Sequence, residues 1–164
     1  MDNITQILGR LNIIPEVIAS IQFTFTTMIQ VTKEPVKGLA SIKLYSEDPG
    51  IKFDEFEGGY LHAKKVESCK GFAPWPLSLV AKDCFGQNTW PEDVPRPQAW
   101  LEFDVEDLKE TSTEMKRKGY RLLLDSYNEP YGQIVTRFLS PEGILVGLTV
   151  TPWLREEDKG NKQS

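Results

Sequence analysis

One pattern of predicted elements occurs twice along the 164-residue chain, and this internal repeat constrains the fold more than any other feature. Each pass is predicted as strand, helix, strand, strand, strand, from alternating and β-branched segments around one helical segment. The first pass consists of TTMIQVT, EPVKGLASIKLYSE, DPGIKF, GGYLHAKKV and PLSLVAKDCF. The second consists of AWLEFDV, EDLKETSTEMKRKG, YRLLLDS, GQIVTRFL and GILVGLTV. Gly50 corresponds to Gly119 and Ser78 to Gly147, so the passes are offset by roughly 70 residues.

The repeat divides the chain into two modules of similar size. In the second predicted helix, acidic residues lie in the first turn and basic residues in the last, as the helix dipole favours, and Gly119 follows. The N-terminal segment carries apolar residues at helical spacing and is a docked helix, a dimerisation arm or a poorly ordered leader. The predicted divisions are an N-terminal helical extension (1–25), module one (26–85), a linker with three prolines (86–98), module two (99–152) and a charged tail (153–164).

Charge and cysteine content exclude several classes of partner. The formal net charge is −5 and the sequence pI is about 5.0. Nucleic acids and anionic membrane surfaces bind basic patches, so neither is a predicted partner. No apolar run is long enough to span a membrane, and the N-terminus lacks the basic region of a signal peptide. Cys69 and Cys84 show neither metal-ligand spacing nor a disulfide framework, which favours a reduced, cytoplasmic protein.

Four short motifs of the second pass occur in a fixed order. A strand ends in Val-x-Asp-Leu, the following helix ends at a glycine, and a Pro-aromatic-Gly stretch and a Pro-x-Gly turn come next. In order and spacing they resemble the vicinal oxygen chelate superfamily, which includes glyoxalase I, bleomycin-resistance proteins and extradiol dioxygenases. Leu44-Tyr45 and Pro49-Gly50-Ile51 are weaker counterparts in the first pass. The four motifs are Val105-Glu106-Asp107-Leu108, Gly119, Pro130-Tyr131-Gly132 and Ser140-Pro141-Glu142-Gly143, with Ser140 where the family usually has aspartate.

The resemblance covers about residues 26–152 and implies an α+β fold. Two βαβββ modules form curved mixed sheets around a shared cleft, and family members pair modules across chains, which implies a homodimer. In metal-using members, the first and last strands of each module each supply one metal ligand. The corresponding positions here are Thr26, Ser78, Trp100 and Gly147, and none offers a carboxylate, imidazole or thiolate. No metal and no cofactor is therefore predicted.

Alternation along the strands predicts which side chains line that cleft. Trp100, Glu102 and Asp104 alternate with apolar residues and are predicted to face it. An indole beside carboxylates suits a cationic or planar ligand, through stacking and cation–π contact. Packing offers another interpretation, in which Trp100 fills an unused cleft and the two acids form a solvated face. The predicted ligand-binding residues are Thr26, Met28, Gln30, Ser78, Trp100, Glu102, Asp104 and Gly147.

Three functions fit these residues. The first is a metal-independent small-molecule-binding protein that sequesters a cationic or aromatic compound such as an antibiotic, and this is the function we predict. The second is an enzyme, either a glyoxalase-like lyase, isomerase or dioxygenase with displaced metal ligands, or a metal-free isomerase with Glu102 as general base. The third is an interaction protein whose own side chains fill the cleft. Glu102 is the one candidate for catalysis, and the sole histidine, His62, is predicted at a strand surface with ligand contact as the alternative.

Overall fold

The structure is a computed structural model, and part of the chain is described by it. The described residues are 23–32, 36, 40–47, 50–57, 59–63, 66, 69–153 and 155. The predicted N-terminal helical extension falls mostly on residues 1–22, and most of the predicted tail falls on residues 156–164. Both segments lie outside the described residues.

The described residues form eight strands and three helices as their main elements. The strands are β1 (Phe23–Thr32), β2 (Asp54–Phe56), β3 (Tyr60–His62), β4 (Gly71–Pro76), β5 (Ala99–Val105), β6 (Leu122–Asn128), β7 (Ile134–Leu139) and β8 (Leu145–Val150). The helices are α1 (Ala40–Glu47), α2 (Leu77–Phe85) and α3 (Leu108–Arg117). None of these helices is long and apolar enough to cross a bilayer.

Six of the strands form one mixed sheet in the order β4-β1-β5-β8-β7-β6. Within module two, β5 is parallel to β8, and β7 and β6 follow as antiparallel neighbours. Module one has the same arrangement: β1 is parallel to β4, and an antiparallel bridge between Ala63 and Phe72 connects β4 to the β2–β3 hairpin. The modules join where β1 pairs antiparallel with β5. The predicted α+β fold with two βαβββ modules is therefore confirmed.

Helix α3 covers one face of the sheet, which we call the outer face. Its Leu108 and Met115 pack against Leu101, Phe103 and other buried side chains of β5, β7 and β8. Asp107 begins the helix, because its side chain accepts a hydrogen bond from the backbone N–H of Glu110 at 2.8 Å. The helix prediction for this segment is confirmed.

Helix α2 corrects the prediction for the segment PLSLVAKDCF, which is not a strand. Strand β4 ends at Pro76, and α2 begins at the next residue. Its buried residues Val80, Ala81 and Cys84 pack against the other face of the sheet, which we call the inner face and which carries Trp100, Glu102 and Gly147. These residues are spaced as on a helix, but a short apolar run is also compatible with a buried strand. The comparison with the second pass, which ends in a strand, favoured the strand, and that prediction is wrong.

The linker after α2 folds back over the same face. Trp90 is buried in the inner cluster, and its indole Nε1 donates a hydrogen bond to the carbonyl oxygen of Val94 at 2.9 Å. Trp90 therefore anchors the linker, which with α2 covers the part of the inner face around Ile29, Trp100 and Leu145.

Replacing Asp107 tests the start of α3. Asp107→Ala is expected to lower the free energy of unfolding by about 1 kcal/mol, because it leaves the Glu110 N–H without its capping acceptor. Asp107→Asn keeps an acceptor and is expected to retain most of the stability in urea unfolding. Equal losses in both variants would show that the cap does not stabilise the helix.

Candidate functional site

One row of residues crosses the middle of the inner face, and we call it the central row. Gly71 on β4 lies opposite Thr27 on β1, which lies opposite Glu102 on β5. Glu102 in turn lies opposite Gly147 on β8, and Gly147 lies opposite Arg137 on β7. Residues directly opposite one another point to the same face, so Thr27, Glu102 and Arg137 share the inner face.

The two glycines of the central row lie under large side chains. A Cβ atom on Gly147 would be 2.9 Å from Trp100 Nε1 and 3.2 Å from Glu102 Cγ. A Cβ atom on Gly71 would be 2.9 Å from His62 Nε2 and 3.4 Å from Thr27 Oγ1. Glycine inside a strand often marks such a close approach. In each module, a strand position without a side chain therefore lets larger side chains lie close over the sheet.

Glu102 is the titratable group at the centre of the row. Burial raises the pKa of its carboxyl from the ordinary 4.5 to about 7, and the positive charge of Arg137 partly opposes this, while Asp83 and Glu129 add to it. The side chain is only partly buried, and among the described residues no group donates a hydrogen bond to its carboxylate. Glu102 is therefore partly ionised near neutral pH.

Arg137 is a buried cation that links the second module to α2. Its Nη2 donates to Glu129 Oε1 at 2.9 Å, and its Nη1 donates to the carbonyl oxygen of Asp83 at 2.7 Å. Asp83 lies in the last turn of α2, where carbonyl groups lack helical partners and a positive charge is favourable. The guanidinium carbon also lies 4.6 Å from the centroid of the Trp100 ring.

Arg137 is not among the residues that the sequence predicted for the site. The sequence did contain a signal for this residue, because Arg137 is the only charged residue of the strand segment GQIVTRFL. A charge at that point must be paired when it is buried, and Arg137 is 1% exposed.

Trp100 is a packed residue in this structure. It is 1% exposed, lies beneath α2 and contacts Trp75 with ring centroids 5.6 Å apart. Trp75 contacts Tyr60 at 4.7 Å, and Tyr60 stacks on the partly exposed Phe56 at 5.2 Å. These four rings form a continuous series from the hairpin surface to the interior, which we call the aromatic wall.

The wall also lies close to α2. Burial, and after it the negative charge of Asp83, raise the pKa of Tyr60. Cys84 on the same helix is buried, and burial raises the pKa of its thiol to about 12, so it does not act as a nucleophile near neutral pH.

The predicted inner face of β1 is wrong by one residue. Met28 lies opposite Leu101 of the outer face, and Gln30, two residues on, shares its side. Thr26 occupies a bulge, is 2% exposed and donates a hydrogen bond to the carbonyl oxygen of Glu102 at 3.2 Å. Thr27 and Ile29 point to the inner face instead, because a slip of one residue exchanges the faces of a strand.

Ser78 is also misplaced by the prediction. Ser78 is an exposed residue of helix α2 and does not belong to the last strand of module one. In the structure, Gly71 on β4 is the counterpart of Gly147 on β8, since each lies opposite the inner-face residue of the first strand in its module.

Asp104 shares the face of Glu102 but is already bonded. Its Oδ1 accepts from the backbone N–H of Thr151 at 2.8 Å, and its Oδ2 accepts from Arg155 Nε at 2.9 Å. Beside this contact, the rings of Tyr131 and Trp153 are 6.2 Å apart, and both residues are exposed. Asp104 therefore holds the C-terminal segment against the sheet.

Comparison with known proteins identifies the fold. No family model matches the sequence, and no curated protein matches it. A glyoxalase/bleomycin resistance protein/dioxygenase superfamily member from Vibrio splendidus 12B01 matches the structure with a TM-score of 0.51 and 10% identity, over 80% of this chain and 100% of that one. The chain has the fold of the vicinal oxygen chelate superfamily.

A second neighbour has the same fold within a longer chain. The 2,2',3-trihydroxybiphenyl 1,2-dioxygenase from Sphingomonas wittichii strain RW1 matches with a TM-score of 0.50 and 14% identity, over 80% of this chain and 41% of that one. Identities this low establish the fold of the superfamily, which the sequence motifs predicted, and nothing about the reaction.

The side chains of the central row do not suit a divalent metal ion. The first and last strands of the two modules contribute Thr27, Gly71, Glu102 and Gly147, which include one carboxylate, one hydroxyl and two glycines. Within the described ranges, no three His, Cys, Asp or Glu side chains converge. Three or four carboxylate, imidazole or thiolate donors are the usual protein set for such metals.

Substituting Gly147 tests the close approach of Trp100. Gly147→Ala is expected to cost about 1–3 kcal/mol of unfolding free energy, because the new methyl group would lie 2.9 Å from Trp100 Nε1. The same substitution in a Trp100→Phe background is expected to cost less, since the ring nitrogen is absent. Equal costs in both backgrounds, measured by urea unfolding, would exclude the indole as the constraint.

Glu102→Gln tests the raised pKa through stability. The folded pKa of about 7 exceeds the ordinary 4.5, so ionisation opposes folding as pH rises between these values. Relative to wild type, the variant is expected to gain on the order of 2–3 kcal/mol of unfolding free energy between pH 4 and pH 8. A difference that stays constant with pH would contradict the burial of this carboxyl.

Proposed function

We propose that this protein binds a small cationic or aromatic molecule at Glu102, without a metal ion, and sequesters it rather than converting it. An antibiotic is one such compound. The observation that carries the proposal is the carboxylate of Glu102, which lies on the inner face, is partly exposed and accepts no hydrogen bond from the described residues. A ligand with a positive charge or a hydrogen-bond donor would satisfy it.

The charges around Glu102 favour a cation. Asp83, Glu102 and Glu129 act electrostatically on one another and on Arg137, and Lys82 acts on Asp83. When the acids are ionised, two positive charges stand against three negative ones. The Coulomb energy of an added cation is therefore favourable, and it is larger in a partly buried site than in water. The chain as a whole also carries a negative net charge of −5, which favours a cationic ligand as well.

The aromatic wall supports a ligand with a planar or cationic part. Phe56, Tyr60 and Trp75 retain some exposure on the side of module one, so they offer ring faces for stacking and cation–π contact. The proposal includes a cytoplasmic homodimer that does not bind nucleic acid. The net charge of −5 supports the part on nucleic acid, and the pairing of modules across chains that the family resemblance implies supports the homodimer.

A thermal-shift titration with bleomycin, a cationic glycopeptide, tests this proposal together with a panel of other cationic and neutral antibiotics. At least one cationic compound is expected to raise the melting temperature of wild type at pH 8. The shift is expected to shrink below pH 7, where Glu102 takes up a proton.

Two variants make the titration specific. Glu102→Gln is expected to abolish the shift, whereas Glu142→Gln, which removes one charge from an exposed turn, is expected to preserve it. Protection of cells by wild type and not by Glu102→Gln would support sequestration. If no cation binds, or if Glu102→Gln binds as well as wild type, the proposal is wrong.

The same carboxyl also suits a second candidate function, a metal-free isomerase with Glu102 as general base. A carboxyl with a pKa of about 7 is suited to take a proton near neutral pH. Exchange of C–H protons of carbonyl compounds in D2O, followed by NMR, would support it if the rate rises up to about pH 7 and is lost in Glu102→Gln. Stoichiometric metal in protein purified without chelators would instead support a lyase or dioxygenase with displaced ligands.

A further inference from the structure

We propose that the ligand at Glu102 carries a carbonyl oxygen close to its positive charge, and that this oxygen accepts a hydrogen bond from the indole N–H of Trp100. The inference rests on the proposed function for the contact with Glu102 and adds Trp100 as a second contact that determines specificity. The ligand class is then narrower than a small cation. It is a molecule in which a ketone or amide oxygen lies near a cationic nitrogen.

The indole N–H of Trp100 is a buried donor without an acceptor. The residue is 1% exposed, and within the described part of the chain no group accepts a hydrogen bond from its Nε1. Trp90 shows the ordinary arrangement, since its buried Nε1 donates to the carbonyl oxygen of Val94 at 2.9 Å. Leaving a buried donor unpaired costs about 1–3 kcal/mol. An acceptor supplied by a ligand removes this cost.

Trp100 Nε1 and the carboxylate of Glu102 lie over the same backbone position. Nε1 is 2.9 Å, and Glu102 Oε1 is 3.3 Å, from the point where a Cβ atom of Gly147 would lie. Two atoms this close to one point are at most about 6 Å apart, and they form no hydrogen bond with each other. A compact unit of a few ligand atoms can therefore contact both at once.

Arg137 adds a positive charge on the other side of Gly147. It lies opposite Gly147 on β7 and shares the inner face with Glu102. Its Nη atoms donate to Asp83 and Glu129, but its Nε–H has no acceptor within the described ranges, although the side chain is 1% exposed. The partial negative charge of a carbonyl oxygen is favourable beside this guanidinium. The surroundings of Gly147 therefore suit a ligand that has an oxygen next to its cationic group.

A ligand reaches the indole N–H along the side chain of Glu102. Glu102 is partly exposed, and its Cγ lies 3.2 Å from the same Cβ position of Gly147. The buried N–H and the partly exposed carboxylate are therefore neighbours, and rotation about the side-chain bonds of Glu102 opens the space beside Trp100 Nε1. The hydrogen bond then forms away from water, where it is stronger than at an exposed surface. Trp100 thus selects among the cations that reach Glu102.

Two permanently charged compounds that differ by one carbonyl group test the inference. Phenacyltrimethylammonium has a ketone one carbon from the cationic nitrogen, and phenethyltrimethylammonium has a CH2 group in its place. In calorimetric titrations of wild type at pH 8, the ketone is expected to bind about five- to tenfold tighter, because it satisfies the Trp100 N–H. Among the indole N–H signals of the four tryptophans, the ketone alone is expected to move that of Trp100 downfield. This signal is assigned by its nuclear Overhauser contacts with Gly147.

Three variants assign the contacts. Trp100→Phe keeps an aromatic ring but removes the N–H, so both compounds are expected to bind it as phenethyltrimethylammonium binds wild type. Trp153→Phe removes an exposed indole and is expected to keep the preference for the ketone. Glu102→Gln is expected to weaken both compounds. The indole signal of wild type gives the same test without a substitution in the core.

The outcomes distinguish this inference from the proposed function. If both compounds bind through Glu102 with equal affinity and the Trp100 signal does not move, the carbonyl contact is wrong and the proposed function stands. A preference for the ketone that persists in Trp100→Phe, or a ketone that does not bind wild type, also overturns the contact. The absence of any Glu102-dependent binding, by these compounds and by the antibiotic panel, would overturn both.

Discussion

The packing of the inner face depends on the interactions of the buried Arg137 guanidinium. This guanidinium connects β7 to the end of α2 through the carbonyl of Asp83, pairs with Glu129 and lies over the ring of Trp100. Removing one partner of such a group leaves an uncompensated buried charge, which is far more costly than losing a surface ion pair. The same cation limits how far burial raises the pKa of Glu102, so it links the packing of the helix to the chemistry of the site.

The central row has the same feature in both modules, a glycine on the last strand. In each module the last strand presents a glycine beneath side chains of its neighbours, Trp100 and Glu102 over Gly147, and His62 over Gly71. Below 3.0 Å, a Cβ at either position would force a neighbour to move. Gly147 carries no side chain, and Trp100 and Glu102 fill the space above it.

Much of the fold followed from local sequence. The repeat, helix α3 with its Asp107 cap, and the position of Glu102 on the inner face each rest on periodicity or capping within a short segment. The errors came from effects that no short segment contains. Because of a bulge near Thr26, the side chains of β1 point to the faces opposite to those predicted. The apolar residues of α2 are spaced in a way that fits both a helix and a buried strand. The raised pKa of Glu102 depends on burial by residues distant in sequence.

The most direct measurement is the pKa of Glu102, obtained from carboxyl 13C shifts and assigned by comparison with Glu102→Gln. A pKa of about 7 is expected in the free protein, and a lower pKa when a cation is bound, because the cation favours the carboxylate. A carboxyl that titrates near 4.5 in the free protein, and does not respond to any bound cation, would contradict both the burial of Glu102 and its proposed role in binding.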